Sequence, residues 1–70
     1  MTTQPEVLSR IEATFSQLTP SEKRVASWML AHAAQIPFET AESVALITGT
    51  SGITVGRFLR KLGYRNLDDA

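Results

Sequence analysis

Apolar residues in this chain recur at three- and four-residue intervals almost from its start, which is the spacing of amphipathic helices. Val7, Leu8, Ile11, Phe15 and Leu18 form the first series and predict a helix over residues 5 to 17, with Glu6, Arg10 and Glu12 outside. Thr19-Pro20-Ser21-Glu22 then signals a new start: a threonine N-cap, a proline in the first helical position, and a glutamate placed to close a capping box. Val25, Ala26, Met29, Leu30 and Ala33 trace the buried side of a helix over 20 to 34, with Trp28 at its edge. Pro37 breaks it, and the residue before a proline is steered toward extended geometry, so Ile36 is expected to be extended and Phe38 to pack inward.

Two shorter helices joined by a tight turn follow. Thr40 caps the first, Ala41 to Thr48, and Gly49 stops it, because glycine takes the left-handed conformation without a Cβ penalty. Ser51 caps the second, which runs to Leu62, with Gly63 again in the stop position. On a helical projection Val55, Phe58, Leu59 and Leu62 share an arc of about 100°, the stripe that faces a core. The opposite face carries Ile53, Gly56, Arg57 and Arg60, flanked by Thr54 and Lys61. Two guanidiniums, a hydroxyl and a gap left by glycine suit a surface that meets phosphates and base edges together; the plain alternative is a solvated helix with ordinary charges. Gly56 has the same two readings, close approach of the backbone to DNA or drift without consequence. Beyond Gly63, Asn66-Leu67-Asp68-Asp69 resembles the start of a further, truncated helix.

The pattern therefore predicts a small all-α bundle of four main helices, near 5 to 17, 20 to 34, 40 to 48 and 51 to 62, plus the start of a fifth. Val7, Ile11, Phe15, Val25, Met29, Val44, Ala45, Val55, Leu59 and Leu62 are the expected core. Seventy residues make one domain, which buries roughly 60% of its unfolded surface and is marginal alone. Met1 to Gln4 is polar and expected to fray.

Composition narrows the chemistry. The chain has no cysteine and one histidine, His32, on a predicted helix end where it serves the last free carbonyls. No nucleophile and base pair, metal-ligand cluster or phosphate loop is visible, so neither catalysis nor a cofactor or metal is expected. There is no apolar run of membrane length, and Met1-Thr2-Thr3-Gln4-Pro5 lacks a signal pattern, so a soluble, cytoplasmic protein without a membrane partner is expected. Net charge is zero but unevenly spread: residues 1 to 42 hold three bases and five acids, whereas residues 43 to 67 hold Arg57, Arg60, Lys61 and Arg65 and no acid. Such asymmetry is the footprint of a face that meets a polyanion.

The run Leu18-Thr19-Pro20-Ser21-Glu22-Lys23-Arg24-Val25-Ala26, then Trp28-Met29-Leu30, Thr48-Gly49-Thr50-Ser51, Thr54-Val55 and Arg57-Phe58-Leu59-Arg60-Lys61-Leu62-Gly63-Tyr64 resembles the N-terminal domain of the RpiR family of bacterial transcriptional regulators. The last run is the most specific. The resemblance covers nearly the full length and implies a helix-turn-helix domain, its motif at about 41 to 60, that binds double-stranded operator DNA as a homodimer. It also implies a downstream sugar-isomerase-like domain, absent from this chain, that senses a phosphosugar effector and gives the regulator its sugar-metabolic role. Three positions depart from the family pattern. Thr50 stands where an apolar residue usually supports the turn and is expected to loosen it. Gly52 and Gly56 replace residues with side chains, and Leu46 stands where the family tends to be polar.

On this reading Ser51, Gly52, Ile53, Thr54 and Arg57 face the groove, with Gly56 allowing close approach. Arg60, Lys61 and Arg65 meet phosphates, and Thr40 adds a backbone contact at a helix N-terminus. The competing reading is a helical interaction or dimerisation module that uses Leu46 and Ile47.

Overall fold

The computed structural model describes residues 5–65, and in them every regular element is a helix and none is a strand. The α-helices are α1 (Pro5–Thr14), α2 (Pro20–Ala31), α3 (Ala41–Thr48) and α4 (Gly52–Lys61). Short 3-10 segments, Phe15–Gln17 and Ala33–Phe38, extend α1 and follow α2. The expected fraying of Met1 to Gln4 and the further helix after Gly63 lie outside the described residues.

Each α-helix after the first begins at the cap its sequence announces. Thr19 Oγ1 accepts from the Glu22 amide at 3.2 Å while Glu22 Oε1 accepts from the Thr19 amide at 2.9 Å, a complete capping box. Thr40 and Ser43 repeat the reciprocal pair at 3.1 and 2.9 Å, and Ser51 Oγ accepts from the Thr54 amide at 3.2 Å. The ends of α3 and α4 are closed by glycine. Gly49 has φ +71° and Gly63 φ +97°, and in each case the next residue donates back to the carbonyl five positions earlier, Thr50 to Ala45 and Tyr64 to Leu59, both at 2.9 Å.

The core draws on all four α-helices and on the 3-10 segment after α2. Val7 and Ile11 of α1, Val25 and Met29 of α2, Val44 of α3, and Val55, Phe58 and Leu59 of α4 are fully enclosed. Phe58 is the largest of these, and burying a side chain of that size favours folding by roughly 1.5–3 kcal/mol. Of the expected core only Phe15 falls short. It is half-buried, with the Lys23 ammonium 5.7 Å from its ring centroid.

The segment around Pro37 departs from expectation. Ile36 is not extended but helical, and residues 33 to 38 continue as a 3-10 turn through the proline, whose fixed φ fits that geometry. Ile36 is buried at 1% exposure and Phe38, expected inside, is 81% exposed. The physical reason is the helical turn: residues two apart share a face in an extended chain, whereas at three residues per turn they lie about 240° apart around the axis, so a segment that buries Ile36 turns Phe38 to solvent. Thr50 gives the turn polar ties in place of apolar support. Its amide closes α3, and its hydroxyl lies 3.0 Å from that of Thr48.

A Cβ added at Gly49 meets nothing within 4 Å, so its left-handed backbone alone opposes a side chain. Gly49→Ala is expected to destabilise the domain by about 1–2 kcal/mol, the left-handed penalty for an L-residue, as read by thermal or urea unfolding. Gly52→Ala, at a site equally open but with ordinary backbone, is the control and is expected to cost nothing.

Candidate nucleic-acid interface

The helix pair α3–α4 makes the most extensive contact between elements in the domain, and α4 shows two opposed faces. Val55, Phe58, Leu59 and Leu62 are buried, as their spacing predicts. Ile53, Arg57 and Arg60 are exposed on the other side, Ile53 at 68%. Ser51 and Gly52, at the start of the helix, are exposed too, whereas Thr54 and Gly56 are half-buried. Of the residues expected to face a groove, Ile53 and Arg57 share the exposed side of α4, while Ser51 and Gly52 stand at its N-terminal end and Thr54 is turned partly inward.

Their engagement differs. The hydroxyls of Ser51 and Thr54 lie 3.0 Å apart and Ser51 is also committed to the N-cap, so both are held by the helix itself. Arg60 lies back along the helix over Gly56: a Cβ at Gly56 would sit 3.5 Å from one guanidinium nitrogen of Arg60 and 3.8 Å from the other. The gap left by that glycine is thus occupied by a cation from the same face. Arg65 is exposed just beyond the end of α4.

Lys61 has a partner the sequence reading did not include. Its ammonium makes an ion pair at 2.8 Å with Glu22 Oε1, although half of its side chain remains exposed. Glu22 is buried, with only 5% exposure, and its carboxylate joins the first turn of α2 to the last turn of α4. Burial disfavours its charge, but the Lys61 hydrogen bond, the Thr19 amide and the Lys61 charge together outweigh that, and hold the carboxyl below its ordinary range.

Arg10 makes a second long-range tie. Its Nη1 donates to the Leu62 carbonyl at 2.9 Å, which satisfies a backbone acceptor at the C-terminal end of α4. Its guanidinium carbon lies 5.0 Å from the centroid of the Tyr64 ring. A cation at a helix C-terminus is also favoured by the helix dipole. Sequence reading placed Arg10 on an outer surface and Glu22 in a local capping box. Nothing local signals that either reaches the end of α4, since their partners lie 52 and 39 residues away.

The N-terminus of α3 is less open to an anion than its threonine suggests. The Thr40 amide and hydroxyl are both spent on Ser43, and the Ser43 hydroxyl donates to Glu39 Oε1 at 2.6 Å. The hydrogen bond from the Ser43 hydroxyl, with one from Gln35, holds the Glu39 carboxyl below its ordinary range, so a negative charge stands beside this terminus. Glu42 adds another carboxylate in the first turn.

A capped helix, a left-handed glycine, a second capped helix and an exposed basic face on the second of the pair define the domain as a helix-turn-helix domain. The chain belongs to the rpiR family of these domains, whose family description matches residues 5–69. Among solved structures it is similar to a chain described as the N-terminal domain of the transcriptional regulator ybbH from Bacillus subtilis subsp. subtilis str. 168. The two are 27% identical with a TM-score of 0.83, over 89% of this chain and 76% of that one. No curated protein matches. Among the described residues, no helix is long and apolar enough to cross a membrane and no group of acids and histidine is placed to hold a metal.

The depressed carboxyl of Glu22 fixes the sign of a pH effect. A group whose folded value lies below its unfolded one stabilises above the unfolded value, 4.5 for glutamate, and that contribution is lost as pH falls through the folded value. The melting temperature of the domain should therefore drop on acidification below about pH 4.5. In Glu22→Gln it should be lower at neutral pH and should fall less steeply in acid. Parallel pH profiles for the two proteins would refute the assignment.

Proposed function

We propose that this domain binds double-stranded operator DNA sequence-specifically, with α4 in the major groove, as part of a homodimeric transcriptional regulator. The observation that carries the proposal is the exposed face of α4. Arg57 and Arg60 project from the second helix of a helix-turn-helix, and no carboxylate occurs between residues 43 and 65 to offset them. Arg57 lies on the exposed arc of the helix, and its guanidinium has the fork geometry to donate to O6 and N7 of a guanine once the helix enters the groove. Arg60 and Arg65, nearer the end of the helix, serve as phosphate contacts. Lys61 is held by Glu22 and contributes charge at longer range. Thr40 is a weaker candidate for a phosphate contact, given the two carboxylates beside it.

Regulation of sugar or phosphosugar metabolism is supported by family kinship alone. It belongs to a sugar-isomerase-like effector domain downstream, and no effector role is assigned to these residues. A homodimer is supported by the same kinship and by the two-fold logic of such readers, whose paired half-sites lie about one helical turn apart. The exposed Leu46, at 84%, favours a second reading in which α3 presents an apolar surface to a protein. A salt titration separates the two readings. Binding through several phosphates weakens steeply with salt, whereas apolar association holds or strengthens.

Arg57 and Arg60 should fail differently. Arg57→Ala is expected to cost about 1–3 kcal/mol on the preferred site and to flatten discrimination at one base pair. Arg60→Ala is expected to weaken all sequences alike and to lower the slope of log K against log salt by about one unit. Fluorescence anisotropy on matched and scrambled duplexes checks both, and equal, sequence-independent losses would show that Arg57 does not read a base.

Gly56→Ala tests how closely the helix approaches. The added methyl lies at ordinary contact distance from Arg60, so the free domain should gain up to about 1 kcal/mol of stability from the helix propensity of alanine. If the helix backbone meets DNA at Gly56, affinity should fall at the same time. Raised stability with unchanged affinity would remove Gly56 from the interface.

A further inference from the structure

The exposed arc of α4 offers few side chains that can read a base. The Ser51 and Thr54 hydroxyls are turned on each other and on the N-cap. Gly52 and Gly56 have no side chain, and Arg60 lies back over Gly56. What remains is Ile53 and Arg57, four residues apart and so on one side of the helix. Ile53 is the anomaly. It is a branched apolar side chain in the first turn of a helix, 68% exposed, on the same face as two guanidiniums. In a helix its β-branch holds one dominant rotamer, so it presents a stiff apolar surface.

Charge decides what covers that surface, since a face with two arginines and no carboxylate from residue 43 to residue 65 complements a polyanion. In the major groove of DNA one base alone offers an apolar group, thymine through its C5-methyl. We propose that Ile53 is a specificity-determining residue that packs against a thymine methyl; this rests on the DNA-binding reading above. Ile53 and Arg57 are separated by about 6 Å along the helix axis. At about 3.4 Å per base, the recognised half-site carries a thymine within roughly two base pairs of the guanine that Arg57 contacts. The two residues form a minimal code, one apolar and one bidentate, with Thr54 between them self-satisfied, Val55 turned into the core and Gly56 without a side chain.

The test uses the 70-residue chain and begins with selection of duplexes from a random pool at low salt. The enriched site is then synthesised twice, once with thymine and once with deoxyuridine at every thymine, a change that removes the methyl groups and leaves every hydrogen-bonding group in place. Wild type should bind the uracil duplex about fourfold more weakly, the ratio set by one methyl group losing apolar contact. Ile53→Ala should bind the two duplexes equally, while Arg57→Ala should keep the thymine preference at lower overall affinity. Circular dichroism should show both variants folded, since neither residue is in the core. Wild-type binding with no thymine preference overturns the assignment and leaves the DNA reading standing. A preference that persists in Ile53→Ala does the same, because another group must then read the methyl. If Ile53 instead faces a protein, Ile53→Ala leaves DNA affinity untouched, which also overturns it. A pool with no enriched sequence overturns the DNA reading itself, and the thymine contact falls with it.

Discussion

The carboxylate of Glu22 ties together parts of this domain that the chain itself does not. One oxygen accepts both the Thr19 amide that starts α2 and the Lys61 ammonium that ends α4. An ion at 5% exposure is costly to bury unless its hydrogen-bonding capacity is met, and here a backbone donor and a cation meet it. Removing Lys61 would leave the charge buried without its counter-ion. Removing Glu22 would free both a helix start and a helix end. Arg10 makes a second tie, from α1, by holding the Leu62 carbonyl. The last turn of α4 is thus fixed by two side chains from two other helices, a stiffness that local propensity could not supply in a ten-residue helix.

Those ties divide α4 lengthwise. Its inner face, with Val55, Phe58 and Leu59, completes the core, and its last turn is anchored to α1 and α2. Among the described residues, its outer face from Gly52 to Arg57 makes no hydrogen bond or ion pair beyond the helix and its cap. A site that recognises another molecule needs its reading groups on a rigid support, and this separation provides one.

Much of this could be read along the chain because it is local. The capping boxes at Thr19 and Thr40, the cap at Ser51, and the stops at Gly49 and Gly63 all depend on residues within a few positions of one another. The stripe of Val55, Phe58, Leu59 and Leu62 follows from helical period alone. What the chain hides is tertiary. Arg10 and Glu22 looked like ordinary surface and cap residues because their partners lie dozens of positions away. Pro37 points toward extended geometry, in which Ile36 and Phe38 would share a face, but a proline that cannot continue an α-helix fits a 3-10 turn, and that helical turn sends Phe38 outward rather than inward. For the interface, residue types showed which face was basic. Which cations were already spoken for could be learned only from packing.

The open side of α4 also bears on how such a domain changes over generations. A side chain placed at Gly52 would meet nothing, and one at Gly56 would meet the guanidinium end of a flexible arginine. Substitutions along this strip therefore leave the core and the two anchors untouched. On the proposed reading, fold and address are written on opposite sides of one helix, so duplicated copies could diverge in the sequences they recognise without first passing through an unstable ancestor.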